Sequence, residues 1–430
     1  MKNIFNIIWL MTDKLFKLVF GLFVTLIMAN ELGSELFGYY NYIISLCFLM
    51  IPFATLGLDN NLTKEFINLE ASKVFSNSVT IKFIASIVAI LIPLIIYLVL
   101  ENDLYLLLSI ANISYLMKSV DVVRFYWEAK LENKKNAIIE SVVFFISSLL
   151  KLYVVYLHPS VSILIFIVAV EGFVYAIMVL YSCYKFKITL FRLSFINLNY
   201  AIDLIRKSLP LMVSTVSVVI YMKVDQLMLA QMSTYQQVGI LAMAAKFSQS
   251  WYFFPVSIIT VISSNIAIKY KIGDDLSKDL INSYSLLHII SIFSIVLISF
   301  IITNFSYLFI NEDYNGFEKV LIVHIMGGFF VAINTLRSRM LIIKEMQKYI
   351  LYLTVLGAII NIVMNLIFIP QYGAVGAAYA TLFSQICVCF IIPFFFKEIK
   401  SENAYIYLSF VNHRFFSEVK SYVRNIKSSI

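Results

Sequence analysis

The sequence predicts an all-α polytopic membrane protein with about twelve transmembrane helices. Of its 430 residues, 61% are hydrophobic and only 13% are charged, about half the charged fraction that is usual in soluble proteins. The apolar stretches are long and continuous and do not alternate with period two, which indicates helices rather than the strands of a barrel. The connections between them leave no room for a sizeable soluble domain.

The spans are delimited by polar residues, prolines and glycines between the apolar runs. The first run contains Asp13, Lys14 and Lys17 and lacks a small-residue cleavage site, so we interpret it as a retained first helix rather than a signal peptide. The spans are predicted near residues 5–29, 38–58, 78–100, 104–126, 137–157, 160–183, 207–231, 238–265, 280–302, 317–343, 348–369 and 374–396.

Basic residues are distributed asymmetrically among the connections. The odd-numbered connections contain no Lys or Arg before Lys319, at the edge of the fifth, whereas the even-numbered connections and the tail are rich in both. This asymmetry predicts that both termini are cytoplasmic. It also accounts for most of the formal charge of +8, so we expect no nucleic-acid partner.

The longest cytoplasmic connection, near 184–206, divides the spans into two groups of six. We therefore expect an N-terminal six-helix lobe at 1–200, a C-terminal six-helix lobe at 201–396 and a cytoplasmic tail at 397–430. The tail mixes aromatic and basic residues, a composition compatible with an amphipathic helix on the anionic leaflet.

A short internal repeat supports this division, although chance is an alternative explanation. Ala29 and Gly38 have the same spacing as Ala230 and Gly239, and the two pairs are 201 residues apart. Because both halves have the same predicted orientation, they would be related by an axis along the membrane normal.

Ionisable residues inside the spans are the candidates for function, because each charge costs about 2.5–3.5 kcal/mol at the membrane centre. Cations predominate, so we expect a wet cavity with surplus positive charge, suited to an anionic substrate such as a diphosphate or an acidic sugar. The candidate substrate-binding residues are Lys14, Lys17, Lys118, Lys151, Lys223, Lys246 and Arg337. The candidates for H⁺ or Na⁺ coupling are Asp13, Asp121, Glu171 and Asp225. The scattered cysteines and histidines predict no metal site, no disulfide and no cofactor.

Spacing separates these charges into two kinds. Lys118, Asp121 and Arg124 recur every three residues and share a helix face; either Lys118 and Asp121 neutralise each other while Arg124 reaches the headgroups, or the three line a cavity. Lys151 and Lys246 have no opposite charge within one turn, so each needs a partner from another helix or a ligand.

Three stretches resemble bacterial polysaccharide flippases, the O-antigen and capsule repeat-unit exporters of the multidrug/oligosaccharidyl-lipid/polysaccharide superfamily. YMKVDQLML with the following QVGILAMAAKF is similar to their seventh and eighth helices. ELGSELFGYYNYIISL with PFATLGLDNNLTKEF is similar to their first loop and second helix. NIVMNLIFIPQYGAVGAAYATLFSQ is similar to their last two helices.

The resemblance implies two six-helix lobes around a central cavity. It also implies translocation of an undecaprenyl-diphosphate-linked oligosaccharide from the cytoplasmic to the outer leaflet of a bacterial inner membrane, by ion-driven alternating access. A polysaccharide polymerase and a chain-length regulator are the expected protein partners, beside membrane lipids. Of the site residues, the resemblance implies a role only for Asp225; the lysines are inferred from the charges of this sequence alone.

Three alternatives stay open. A drug/cation antiporter of the same superfamily is expected to have an acidic cavity, whereas lysines predominate here. A lipid II flippase would use the same scaffold for another lipid-linked substrate. A membrane enzyme acting on lipid-linked sugars needs large outer loops and a catalytic motif, and the outer connections are short and carry neither, so we expect no enzymatic activity.

Overall fold

The computed structural model describes the backbone of residues 2–185 and 191–412, and the side chains of these ranges from Thr12 onward except Asp13. Within them the chain forms fourteen α-helices joined by short turns and 3₁₀ segments. They are α1 Lys2–Thr55, α2 Leu62–Asn68, α3 Ala71–Leu100, α4 Asp103–Met117, α5 Val122–Ala129, α6 Asn133–Leu157, α7 Val161–Lys185, α8 Leu198–Met232, α9 Tyr235–Ser250, α10 Phe253–Ile272, α11 Ser277–Phe305, α12 Phe317–Ile343, α13 Gln347–Ile386 and α14 Lys400–Phe410.

The helices confirm the predicted membrane fold. In the described residues, ten helical stretches are long and apolar enough to cross a membrane. Two of these stretches each contain two predicted spans, because α1 is kinked at Gly33 (φ 72°) and α13 at Gly373 (φ 55°). Glycine accepts these positive φ angles without the steric cost that a Cβ would bring. Eleven of the twelve predicted spans thereby correspond to helical stretches of the described residues.

The predicted eighth span, 238–265, differs from the structure. It contains parts of two helices, α9 and α10, which are separated at Trp251 and Tyr252. Both rings pack against Gly328, where a Cβ would lie 2.7 Å from each ring. Pro255 then lies in the first turn of α10, where its missing N–H leaves no helical hydrogen bond unmade.

The described residues form two compact units. The first contains the residues up to Met243 together with Ile310–Tyr314, and the second contains Ala244–Phe309 together with the residues from Asn315 onward. In the first unit α6 packs between α1 and α7, while α4 packs on α3 and α7. The lobe boundary predicted at 200/201 stays a prediction.

In the second unit α12 packs against α10, α11 and α13, and α14 packs along α11. The position of α14 differs from the membrane-surface helix expected for the tail. Ile406 is completely buried, and the carbonyl of Ser409 accepts a hydrogen bond from the Ser285 hydroxyl. The remainder of the predicted tail, 413–430, lies outside the described residues.

The two glycines of the sequence repeat lie in one contact within the first unit. A Cβ on Gly38 would overlap the carbonyl oxygen of Tyr235, and a Cβ on Gly239 would overlap the carbonyl oxygen of Ser34. Ser34 and Tyr235 are themselves 201 residues apart. The contact between α1 and α9 is therefore symmetric with respect to the repeat, which favours an internal duplication over chance.

Candidate functional site

A polar stripe on α6 forms one wall of the candidate site. Asn136, Glu140, Ser147 and Lys151 are spaced by four, seven and four residues, so they share one face of the helix. Glu140 and Lys151 are eleven residues apart, or about 16 Å along the helix axis. The stripe therefore carries polar groups from the Asn133 end of α6 well into the membrane-spanning region.

At its deeper end, the carboxylate of Glu171 on α7 lies between two lysines. Its Oε1 is 3.1 Å from Lys118 Nζ, and its Oε2 is 3.5 Å from Lys151 Nζ. The side chains of Lys118 and Lys151 remain 37% and 16% exposed, respectively. The structure thus gives Lys151 the partner from another helix that its sequence context required.

At its other end, the stripe meets α1 and α5 around Glu140. Lys17 Nζ lies 2.7 Å from Glu140 Oε2, and Asn136 Nδ2 donates a hydrogen bond of 2.6 Å to Glu140 Oε1. The Arg124 guanidinium lies 4.0 Å from the same oxygen. A single carboxylate therefore accepts contacts from three helices.

Asp121 joins these two ends. It lies 3.4 Å from Arg124, and the Tyr175 hydroxyl donates a hydrogen bond to it. Tyr175 is one turn from Glu171 on α7, and Asp121 is one turn from Lys118, so the two ends are neighbours on two helices. Of the two interpretations of the 118–124 triplet, mutual neutralisation is wrong, because Lys118 pairs with Glu171 and Asp121 pairs with Arg124.

We call these side chains the charged network. It contains four cations and three carboxylates, leaving one surplus positive charge. Its members are Lys17, Lys118, Asp121, Arg124, Glu140, Lys151 and Glu171.

The segment Lys118–Asp121 has a local backbone feature that places its charges. It is a 3₁₀ turn between α4 and α5, inside the membrane-spanning stretch Asp103–Ala129. In a 3₁₀ helix, residues three apart eclipse each other, so the side chains of Lys118 and Asp121 project to the same side. A 3₁₀ turn within a long helix often marks a hinge, which makes this segment a candidate for movement.

The other predicted residues of the first unit lie outside the network. Lys14 is exposed, and the side chain of Asp13 lies outside the described residues. Lys223 Nζ lies 4.7 Å from the centroid of the Phe48 ring, a cation–π contact. Asp225 is buried, and both it and Lys223 have further interactions within the protein.

The two predicted cations of the second unit have different surroundings. Lys246 is exposed on α9. Arg337 is only 1% exposed, and its guanidinium donates hydrogen bonds of 3.1 and 2.6 Å to the carbonyl oxygens of Val388 and Cys389. These carbonyls belong to a π-helical turn that follows α13. In this structure Arg337 therefore stabilises an irregular backbone segment, and its substrate-binding role stays a prediction.

Sequence reasoning missed four charged or polar members of this interior. Glu140 belongs to the network, and its eleven-residue spacing from Lys151 was a signal that both face one side. Lys82, which is buried, pairs with Asp59 from the turn before α2. Tyr175 gave no signal beyond its position one turn after Glu171.

A family model described as "Polysaccharide biosynthesis protein" matches residues 4–263. No curated protein sequence matches the chain significantly.

Several solved structures share the fold. A lipid II flippase, MurJ, in an inward closed conformation is similar with a TM-score of 0.72 and 19% identity, over 96% of this chain and 93% of that chain. An inward-facing multidrug resistance transporter of the MATE family and the MOP superfamily has a TM-score of 0.67 and 12% identity, over 90% of this chain and 94% of that chain. An outward-facing MATE family transporter has a TM-score of 0.61 and 13% identity, over 93% and 95%.

Proposed function

Because the chain belongs to the polysaccharide biosynthesis protein family, we propose that it is a flippase for an undecaprenyl-diphosphate-linked oligosaccharide repeat unit. It moves this unit from the cytoplasmic to the outer leaflet by alternating access. The observation that carries the proposal is the position of Glu171 between Lys118 and Lys151. Two lysines share one carboxylate there, so the interior holds a positive charge that an anion can neutralise.

The diphosphate is the part of the substrate that this arrangement suits. Ammonium groups bind phosphate oxygens through charge-assisted hydrogen bonds, which are about twice as strong as neutral ones. A diphosphate arriving at Lys118 and Lys151 replaces or shares the Glu171 carboxylate. If the Glu171 carboxylate takes up a proton when the diphosphate replaces it, no uncompensated carboxylate is left in the membrane.

We assign ion coupling to the carboxylates of the network. Asp121 accepts a hydrogen bond from Tyr175 and contacts Arg124, so uptake of a proton or Na⁺ at Asp121 changes the pairing of Arg124. Glu171 is the second candidate, and Asp13 and Asp225 are kept as sequence-based candidates. The activity is transport, and no residue is assigned a catalytic role.

We further propose that the protein resides in a bacterial cytoplasmic membrane with both termini in the cytoplasm. The even span number and the basic even-numbered connections support this orientation. A polysaccharide polymerase and a chain-length regulator are the proposed protein partners, because they act on the exported unit.

A double substitution tests the site. We expect Lys118→Gln with Lys151→Gln to lower export of the lipid-linked unit by about tenfold or more, since the loss of two charge-assisted hydrogen bonds is worth more than 1.4 kcal/mol. Export is measured as surface glycan in a strain whose own gene is deleted, together with the amount of protein in the membrane.

Lys207→Gln is the matched control, since Lys207 forms an exposed pair with Asp203 at 2.8 Å on α8. It removes a lysine from an ion pair outside the network, and we expect export to stay normal. Wild-type export by the double variant at normal membrane abundance would show that the network does not bind the substrate.

A lipid II flippase is the second candidate function, favoured by the fold shared with MurJ at a TM-score of 0.72. Lipid II also carries a diphosphate, so the network suits both substrates. Depletion distinguishes them: loss of surface glycan with normal growth supports the repeat unit, whereas cell lysis from loss of wall synthesis supports lipid II. Efflux of a cationic drug by the purified protein would instead favour an antiporter.

A further inference from the structure

A second feature of the first unit is an apolar groove outside the charged network. It has a volume of about 600 Å³ and lies between the second half of α1, the middle of α3 and the beginning of α8. On α3 its lining runs from Asn77 to Ile92, fifteen residues or about 22 Å along the axis. The lining is apolar apart from Asn77 and Thr80, and it lies in a stretch that crosses the membrane.

The segment before α8 closes one end of the groove. Buried Asn77 donates a hydrogen bond of 2.9 Å to the Phe195 carbonyl and accepts one of 2.9 Å from Asn197 N–H. Ser76 Oγ accepts a hydrogen bond from Arg192 N–H at 2.9 Å. These bonds fix residues 192–197 across the beginning of α3. Ile196 contributes to the lining, so the groove has a floor at its predicted cytoplasmic end.

Two cations flank this floor. Lys73 lies one turn before Asn77, with its Nζ 4.7 Å from the centroid of the Tyr200 ring. The Arg192 guanidinium carbon lies 5.8 Å from the centroid of the Phe195 ring. Both positive groups are therefore held where the apolar groove meets the predicted membrane surface. A ligand with an anionic head and a long hydrocarbon chain is complementary to this combination.

The groove surface favours a branched chain. Large and small side chains alternate along its lining on α3, in the order Ile84, Ala85, Val88, Ala89 and Ile92. Helical turns repeat every 5.4 Å. A polyprenyl chain carries a methyl branch at every fourth carbon, so the helix surface and the chain both have regularly spaced protrusions. Because lipid tails are as apolar as leucine, only such packing and the head group can distinguish one chain from another in a membrane.

We propose that this groove binds the polyprenyl chain of the lipid-linked substrate, with its diphosphate at Lys73 and Arg192. The inference rests on the proposed function and assigns a loading site, where the diphosphate lies before it reaches Lys118 and Lys151. The groove holds the substrate on the predicted cytoplasmic side, where loading begins. Residues 192–197, which link the two sequence halves, form part of this binding site.

Photo-crosslinking tests the groove. The purified full-length protein is placed in nanodiscs of phosphatidylethanolamine and phosphatidylglycerol with an undecaprenyl diphosphate that carries a diazirine in its chain. We expect adducts on α3 between Ile81 and Ile92. Excess undecaprenyl phosphate should remove them, and the same excess of phosphatidylglycerol should not. Equal competition by phosphatidylglycerol would identify an ordinary phospholipid site and overturn the proposal.

Two substitutions on one helix provide the matched comparison. Val88 lines the groove and is 50% exposed, whereas Val99 is 73% exposed beyond its end. We expect Val88→Trp to lower crosslinking about tenfold, because the indole fills the groove, and Val99→Trp to leave it unchanged. If Val88→Trp does not fold, Lys73→Gln with Arg192→Gln serves instead: it should weaken crosslinking of the diphosphate probe, but not of an uncharged polyprenol probe.

The results separate this inference from the proposed function. Adducts elsewhere in the protein that persist in Val88→Trp would overturn the groove site and leave the flippase proposal standing. No adduct at any position would contradict both.

Discussion

The two units hold intramembrane charge in different ways. In the first unit, the cations of the charged network face carboxylate side chains from other helices, and Lys118 and Lys151 remain 37% and 16% exposed. In the second unit, Arg337 is 1% exposed and donates to backbone carbonyls of a π-helical turn. A side-chain carboxylate can rotate away or take up a proton, whereas a backbone carbonyl can do neither.

This difference distinguishes a charge that can change partners during transport from a charge that stabilises the fold. Glu171 has two cationic partners, so losing one leaves the carboxylate paired. The carbonyls of Val388 and Cys389 both accept from one guanidinium, that of Arg337. We therefore expect the charged network to affect transport and Arg337 to affect folding.

The largest effect is expected from Arg337→Met compared with Lys151→Met. Arg337→Met removes the side-chain donor of two buried carbonyls, at about 1–3 kcal/mol each, a large part of a typical net stability of about 5–15 kcal/mol. Folded protein in the membrane should fall severely. Lys151→Met should lower stability by about 1 kcal/mol or less, since Glu171 keeps Lys118, while export decreases.

Both variants are compared by fluorescence size-exclusion chromatography and by thermal stability in detergent. If Arg337→Met were stable and lost only export, Arg337 would act in transport and not in folding. Severe unfolding of Lys151→Met would show that Lys151 is also needed for folding, which would remove the contrast between the two residues.

The sequence predicted the spans because hydropathy is local, and it predicted Lys151 as a charge in need of a distant partner. It could not predict that the partner is Glu171, since pairing between helices depends on how α6 and α7 pack. For the same reason, the spacing of Lys118 and Asp121 suggested a pair that the structure does not form. The inward position of α14 was missed because its sequence mixes apolar, aromatic and polar residues, and only its packing on α11 shows which of them are buried.

A second, smaller effect concerns glycines in the two units. A Cβ on Gly38 would overlap the carbonyl oxygen of Tyr235, whereas one on Gly327 would have no atom within 4 Å. We expect Gly38→Ala to destabilise the protein by about 1–3 kcal/mol through overpacking. Gly327→Ala should be neutral or stabilising by up to about 1 kcal/mol, because alanine favours the helix.

Thermal unfolding of the two purified variants measures this contrast, and Gly239→Ala should repeat the result of Gly38→Ala because the contact is symmetric. Equal stability of Gly38→Ala and the wild type would mean that α1 and α9 are not held in this close contact.

The smallest effect is expected at Asp275, a carboxylate between the membrane spans that does not belong to an ion-pair network. The Ser277 hydroxyl and the Ser277 N–H both donate to it, at 2.6 and 3.0 Å, and these bonds lower the pKa of Asp275 below its ordinary value. A lowered folded-state pKa means that this stabilisation is present above the unfolded pKa of about 4 and is lost as the pH falls through the folded value.

Asp275→Asn should therefore lower the melting temperature slightly at pH 7 and have less effect near pH 3. Asp274→Asn, which changes the same charge but keeps the acceptor, should not reproduce this pattern. Equal pH dependence of the two variants would show that charge alone, and not the geometry at the start of α11, gives this carboxylate its effect. Export should be unchanged in both, which separates a carboxylate bound to fixed donors from those of the network, whose partners can exchange.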